Sequence, residues 1–129
     1  MRIQLRNEID LGGQLEVIQQ EFEVEVVDKE AQFYLIFVND EGEKVVIKCQ
    51  EEELVMTRFS NPKTIMRFLG GKEAIVTIPT PVGLQHFLTD TKQYHLNREQ
   101  GQIQLCYDLK GLDNQQRFAS YKMDITWKR

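Results

Sequence analysis

Apolar and polar residues alternate with period two along almost the whole chain, and no window of twelve residues carries a helical period. A first strand is expected from about Arg2 to Leu11, with Ile3, Leu5, Ile9 and Leu11 on one face. Gly12-Gly13 supplies the positive φ of a two-residue hairpin into a long second strand, about Gln14 to Val27. The apolar phase of that strand switches: Leu15 and Val17 are odd, whereas Phe22, Val24 and Val26 are even. A period-two pattern changes phase through an extra residue, so a β-bulge is expected near Ile18–Gln20, bending the strand around a barrel corner.

Phe33 to Val38 is apolar on both faces, as a central strand would be. Asn39-Asp40-Glu41-Gly42-Glu43 forms a hairpin loop with Gly42 in the left-handed position. Pairing Asn39 with Glu43 sets Phe37 opposite Val45, Leu35 opposite Ile47 and Phe33 opposite Cys49. Further strands are expected over Leu54–Phe59, Thr64–Leu69, Ala74–Ile78, Leu84–Leu96, Gln102–Leu109 and Phe118–Trp127, joined at Glu51–Glu53, Asn61-Pro62 and Gly70-Gly71. The stretch from Ile78 to Thr91 stands out. Pro79 and Pro81 fix φ and remove backbone donors, so no sheet ladder is expected to run through them. About ten strands joined by tight turns make an up-and-down antiparallel meander. Such a sheet loses its exposed edges most simply by closing into a barrel with its first and last strands adjacent.

With 129 residues the chain is read as one domain, residues 1–129, large enough for a sizeable core. Its net charge of −4 argues against nucleic acid as a partner, because phosphate binding needs a basic face. No apolar run is long enough to insert in a membrane, and the first residues lack the apolar core of a signal peptide. Cys49 and Cys106 lie in different strand phases and have no Cys-x-x-Cys spacing. They read as reduced thiols of a cytoplasmic protein.

Met66-Arg67-Phe68, then Thr80-Pro81-Val82-Gly83, then Thr89-Asp90-Thr91, with a late Tyr-Asp-Leu strand, resembles the YwiB-like family of small bacterial proteins of unknown function. The resemblance runs essentially end to end. It implies a calycin-type barrel, similar to lipocalins and fatty-acid-binding proteins. The helical lid of the fatty-acid binders has no counterpart, because Gly12-Gly13 closes the first hairpin directly. The family has no assigned activity, so no functional residues carry over.

Candidate chemistry is sparse. His86 and Asp90 lie about 13 Å apart on one extended strand, too far to hydrogen-bond. A metal site would have to gather Cys49, Cys106, His86 and His95 from separate strands in clashing phases, so neither a metal nor a cofactor is expected, and no catalytic residue is assigned. A group of cations is more suggestive. If Asn61-Pro62 and Gly70-Gly71 are both two-residue turns, Arg58 pairs with Ile65, Met56 with Arg67, and Arg67 with Ala74. Pairing Ile78 with Leu84 then brings His86 to the same apolar face. Turned inward, that face would suit an acidic amphiphile; turned outward, it is a greasy exterior whose arginine heads reach water. Tyr107 and Tyr121 are expected within about two rungs of each other on paired strands, either packed together or turned into a cavity.

These features point to non-catalytic binding of a small anionic or amphipathic molecule inside the barrel. Arg58, Arg67, His86, Tyr107 and Tyr121 are the candidate binding residues. The alternative is an interaction module with a filled barrel that uses an apolar face or strand edge to form a homodimer or dock on another protein.

Overall fold

A computed structural model describes residues 1–128. The chain is all-β and folds into one antiparallel sheet of eleven strands that curls into a nearly closed barrel. In chain order the strands are β1 (Arg2–Asp10), β2 (Leu15–Glu23), β3 (Glu25–Asp28), β4 (Phe33–Val38), β5 (Lys44–Cys49), β6 (Glu53–Arg58), β7 (Thr64–Leu69), β8 (Glu73–Thr80), β9 (Gly83–Asn97), β10 (Gln102–Gly111) and β11 (Arg117–Lys128). The sheet order is β2-β1-β11-β10-β9-β8-β7-β6-β5-β4-β3. The first and last strands are indeed adjacent: β1 pairs with β11 over nine rungs, from Arg2–Lys128 to Asp10–Ser120.

The eleventh strand comes from the long second segment, which is divided at Val24. Its first part pairs with β1, and its last four residues cross the barrel seam to pair with β4. The Val24 amide donates to the Met1 carbonyl at 3.0 Å, so the break costs no backbone hydrogen bond there. The expected bulge at Ile18–Gln20 is absent, because β1 and β2 keep one register throughout. The apolar phase switch has another cause. Phe22 opposes Ile3 and points inward, whereas Leu15 and Val17 point outward and are exposed.

The β4–β5 hairpin has the register its residues predict, Phe33–Cys49, Leu35–Ile47 and Phe37–Val45, with Gly42 at φ 77°. Three other hairpins differ from expectation by one residue: β6–β7, β7–β8 and β8–β9, the last with Ile78 opposite Gln85 in place of Leu84. Arg58 pairs with Thr64, Met56 with Met66 and Val55 with Arg67. The Phe59 amide donates to Lys44 in β5 at 2.9 Å, so residues 59–63 form a longer loop than a two-residue turn. Across β7 and β8, Ile65 opposes Thr77, and the Lys72 carbonyl accepts from the Thr91 amide in β9. A one-residue slip moves every side chain to the other face. Phe68 is therefore inside, 1% exposed, and Arg67 is outside. That outcome is the favourable one, because burying a phenyl ring stabilises while burying an unpaired guanidinium is costly.

Pro79 is also not where the ladder ends. β8 runs through it, with Pro79 opposite Leu84 and Thr80 opposite Gly83, so the turn is confined to Pro81-Val82. Thr80 and Gly83 close that turn through a 2.7 Å bond from the threonine hydroxyl to the Gly83 carbonyl.

The core fills the barrel end where β1, β4, β6, β8 and β10 begin. Ile3, Leu35, Ile47, Cys49, Leu54, Ile103, Leu105 and Ile125 are fully buried there, and Phe33 packs on Trp127 with ring centroids 5.3 Å apart.

Candidate functional site

The opposite end of the barrel is less filled. It lies where β1, β4 and β6 finish and where β2, β5, β7 and β11 start. Strand parity sends Leu5, Asn7 and Ile9 of β1 inward, together with Met56 and Arg58 of β6 and Thr64 and Met66 of β7. A cleft of about 220 Å³ opens at the seam between β2 and β4, lined by the apolar Leu5, Phe22, Phe37, Val45 and Met56 and by the polar Gln20, Asn39, Asp40, Glu41 and Arg58. Phe22 and Phe37 stack across the seam, 5.1 Å between centroids and 13° between planes, and form its floor. Arg58 is half-exposed and lies 3.7 Å from Glu43, a loose pair that leaves its other donors free for water or a ligand.

Three inward-facing polar atoms sit buried without a protein partner: Asn7 Oδ1, Thr64 Oγ1 and Thr91 Oγ1. Thr64 is the cross-strand neighbour of Arg58, and Asn7 lies opposite Met123 on one side and Ile18 on the other. A buried polar group lacking a partner is costly unless water or a ligand satisfies it. Asn7 was legible from its phase between Leu5 and Ile9, where a polar residue interrupts an apolar face.

The five candidates do not form one constellation. Tyr107 and Tyr121 occupy the same rung inside the barrel and stack at 4.6 Å with only 6° between the rings. Tyr107 is buried and packs on Phe68 at 4.6 Å, and desolvation pushes its phenol well above the usual range. Tyr121 is half-buried and its phenol is raised for the same reason. Arg58 reaches the rim. Arg67 and His86 lie on the outer surface. Arg67 pairs with Glu53, its Nε 2.9 Å and Nη2 2.8 Å from the same carboxylate oxygen, and His86 Nδ1 sits 2.9 Å from the Thr77 hydroxyl.

Sequence reasoning missed the outer-face ion cluster. The Asp90 carboxylate accepts from Lys110 at 2.6 Å and Lys92 at 2.7 Å. These two bonds, Lys110 first, hold its carboxyl below the usual carboxylate range. The signal was faint, since Asp90 and Lys110 are not directly opposite in the ladder: Lys110 pairs with Leu88. Among the described residues, no group of three or more His, Cys, Asp or Glu side chains is placed to hold a metal ion, and no helix is long and apolar enough to cross a membrane.

An all-β barrel with a packed base and an open upper rim defines a class by fold alone. The chain matches the family described as "Domain of unknown function (DUF1934)" over residues 3–125, and it belongs to that family. It is similar to the solved structure titled "Crystal structure of ywiB protein from Bacillus subtilis", with a TM-score of 0.77 and 22% identity over 99% of this chain and 91% of that one. That likeness carries the fold and bears out the YwiB-like resemblance. No curated protein matches the chain.

Proposed function

We propose that the protein is a non-catalytic binder of a small amphipathic molecule whose anionic group meets Arg58 at the open end of the barrel. One observation carries the reading: an inward-directed arginine, the one cation in the lining, stands in a cleft with an apolar floor and an acidic loop (Asp40, Glu41) on one side, its cross-strand neighbour Thr64 holding a buried hydroxyl that lacks a partner. The apolar part of the ligand would lie along Leu5, Met56 and Phe37, and methionine suits a site that must adapt to its occupant. The stacked Tyr107 and Tyr121, on the rung of Ile9, do not line that cleft. Arg67 and His86 have no part in it, because their faces point away. The up-and-down strand order and the missing lid support classing the barrel with the lidless calycins. The free thiols of Cys49 and Cys106 support a reducing, cytoplasmic setting.

The test uses an anionic naphthalene-sulfonate fluorophore and an uncharged analogue of the same ring system. The anionic probe should bind the wild-type protein about tenfold more tightly than Arg58→Met, the effect of one charge-assisted contact. The uncharged probe should not distinguish the two proteins. Equal binding of the anionic probe to both would overturn the site. Native mass spectrometry of freshly purified protein adds an independent check, because a retained natural ligand appears as added mass.

A further inference from the structure

The open-end cleft carries more negative than positive charge. Arg58 is the one cation in its lining, against the carboxylates of Asp40 and Glu41. Glu43 adds a third carboxylate, 3.7 Å from the Arg58 guanidinium. A simple anion entering beside Arg58 therefore meets a surplus of like charge that one guanidinium does not neutralise. The turn between β4 and β5 holds these groups in place. The Asn39 carbonyl oxygen of the side chain accepts from the Glu41 and Glu43 amides at 3.0 and 2.9 Å. Its side-chain nitrogen donates at 3.1 Å to the Glu43 oxygen that faces Arg58. Glu43 is thereby committed to Arg58, whereas Asp40 and Glu41 have no cation partner among the described residues.

The rest of the lining is largely apolar, with Leu5, Phe22, Phe37, Val45 and Met56. Its volume of about 220 Å³ exceeds the roughly 150 Å³ of an apolar cavity that takes one benzene ring, and falls short of the roughly 300–1,000 Å³ of sites for drug-sized ligands. That is room for one apolar side chain and its polar head, and too little for a long acyl chain. Building on the binding reading proposed above, we infer that the ligand is a zwitterion, an apolar amino acid whose carboxylate meets Arg58 and whose ammonium meets Asp40 and Glu41. An ammonium brings the positive charge that the lining lacks, and its three donors suit acceptor-only carboxylates. The ligand carboxylate takes charge-assisted bonds from guanidinium donors that the loose Glu43 pair leaves free. Its side chain leaves water against Leu5, Phe37 and Met56. The lining also discriminates. Without its amino group the ligand is an anion facing two unpaired carboxylates, and like charges set together disfavour the wrong partner.

Three matched probes test this: leucine, 4-methylpentanoate, which lacks the ammonium, and leucine methyl ester, which lacks the carboxylate. Affinities are read at pH 7 from amide chemical-shift changes in the full chain, with circular dichroism confirming that each variant is folded. Leucine should bind wild type about tenfold more tightly than either of the other two, the effect of one charge-assisted contact. In the double variant Asp40→Asn, Glu41→Gln, leucine should weaken by about tenfold and 4-methylpentanoate should tighten, so that the preference disappears. In Arg58→Met, leucine and 4-methylpentanoate should both weaken by about tenfold, and the methyl ester should not weaken. Wild-type binding of 4-methylpentanoate as tight as that of leucine, and still dependent on Arg58, would overturn the zwitterion and leave the anion site standing. If no probe shifts amides around the cleft, or none depends on Arg58, the zwitterion and the anion site are both overturned.

Discussion

The two ends of the barrel are built from the same strands but held together differently. At the packed end, side chains tie one turn to another. Arg98, from the β9–β10 turn, lies over the Phe33 ring at 4.8 Å and bonds to Asp28 and to the Lys29 carbonyl in the β3–β4 turn. Gln50, after β5, bonds to Gln32 at 3.1 Å, and the Tyr94 hydroxyl donates to the Gln50 carbonyl at 2.6 Å. At the open end the turns mostly bond within themselves. Asp10 accepts from Gly12 and Gly13, Asn39 from Glu41 and Glu43, and Asn114 from Gln116. A self-contained turn keeps its shape without its neighbours, so the open end has fewer side-chain ties from turn to turn than the base. Order at the base and latitude at the rim are what a site needs if it must admit a molecule.

The largest effect should separate the ends directly. Phe33 is 2% exposed and touches both Trp127 and Arg98. Phe33→Ala should lower unfolding free energy by about 3–5 kcal/mol, the usual cost of deleting a buried ring. Ile18→Ala, on an inward but exposed position at the open end, should cost less than about 1 kcal/mol in denaturant titrations. Comparable losses at the two sites would erase the distinction drawn here.

A smaller effect reads the base through its thiol. Cys49 is fully buried beside Phe33 and Leu54, and desolvation raises its pKa from 9.0 to about 12. Because the folded value is raised, the unfolded chain ionises first. The stabilising contribution is complete below pH 9 and declines as pH rises from about 9 towards 12. Between pH 8 and pH 10 the protein should lose about 1.4 kcal/mol from this group alone. Urea denaturation at the two pH values, repeated for Cys49→Ala, would show it: the variant starts less stable but should lack most of that slope. An unchanged slope would mean that the base admits water to Cys49.

How much of this was legible in the sequence depended on what fixed each register. The β4–β5 hairpin was fully readable, because Gly42 marked the turn and the apolar residues of both strands matched on both faces. The adjacency of β1 and β11 followed from the need to cover two apolar edges. The β6–β7 and β7–β8 registers were not readable. Asn61-Pro62 announces a turn but not its length, which the bond from Phe59 to Lys44 extends; Gly70-Gly71 does form the expected two-residue turn, closed by the Lys72 amide on the Leu69 carbonyl, but the ladder beyond it slips by one residue to set Ile65 opposite Thr77. The one-residue error put Arg67 on the same face as Arg58 and assembled cations that the fold keeps apart. It also hid Thr64, which the expected register places on the face opposite Arg58 and the structure pairs with it. The outward phase of Leu15 and Val17 was visible as a phase switch. Its cause, an edge strand with β1 on one side and no hydrogen-bonded strand on the other, lay in the topology and could not be read from the pattern.

The smallest predicted effect belongs to Arg67, and its smallness is informative. An arginine facing the barrel interior would need a buried partner, and removing it would either relieve or strand a charge at a cost of several kcal/mol. In the structure its guanidinium reaches Glu53 on the outer surface, where the arginine side chain is 53% exposed and the glutamate 22%. Water competes for both partners there, and holding two long side chains in one geometry offsets much of the Coulombic gain. Arg67→Met keeps the stem packed over its neighbours and should change unfolding free energy by no more than about 0.5 kcal/mol. Binding of the anionic probe at Arg58 should be unaltered. A loss of several kcal/mol, or of probe binding, would place Arg67 on the inner face and reverse the register of β6 and β7, and with it the assignment of Phe68, Thr64 and the open-end cleft.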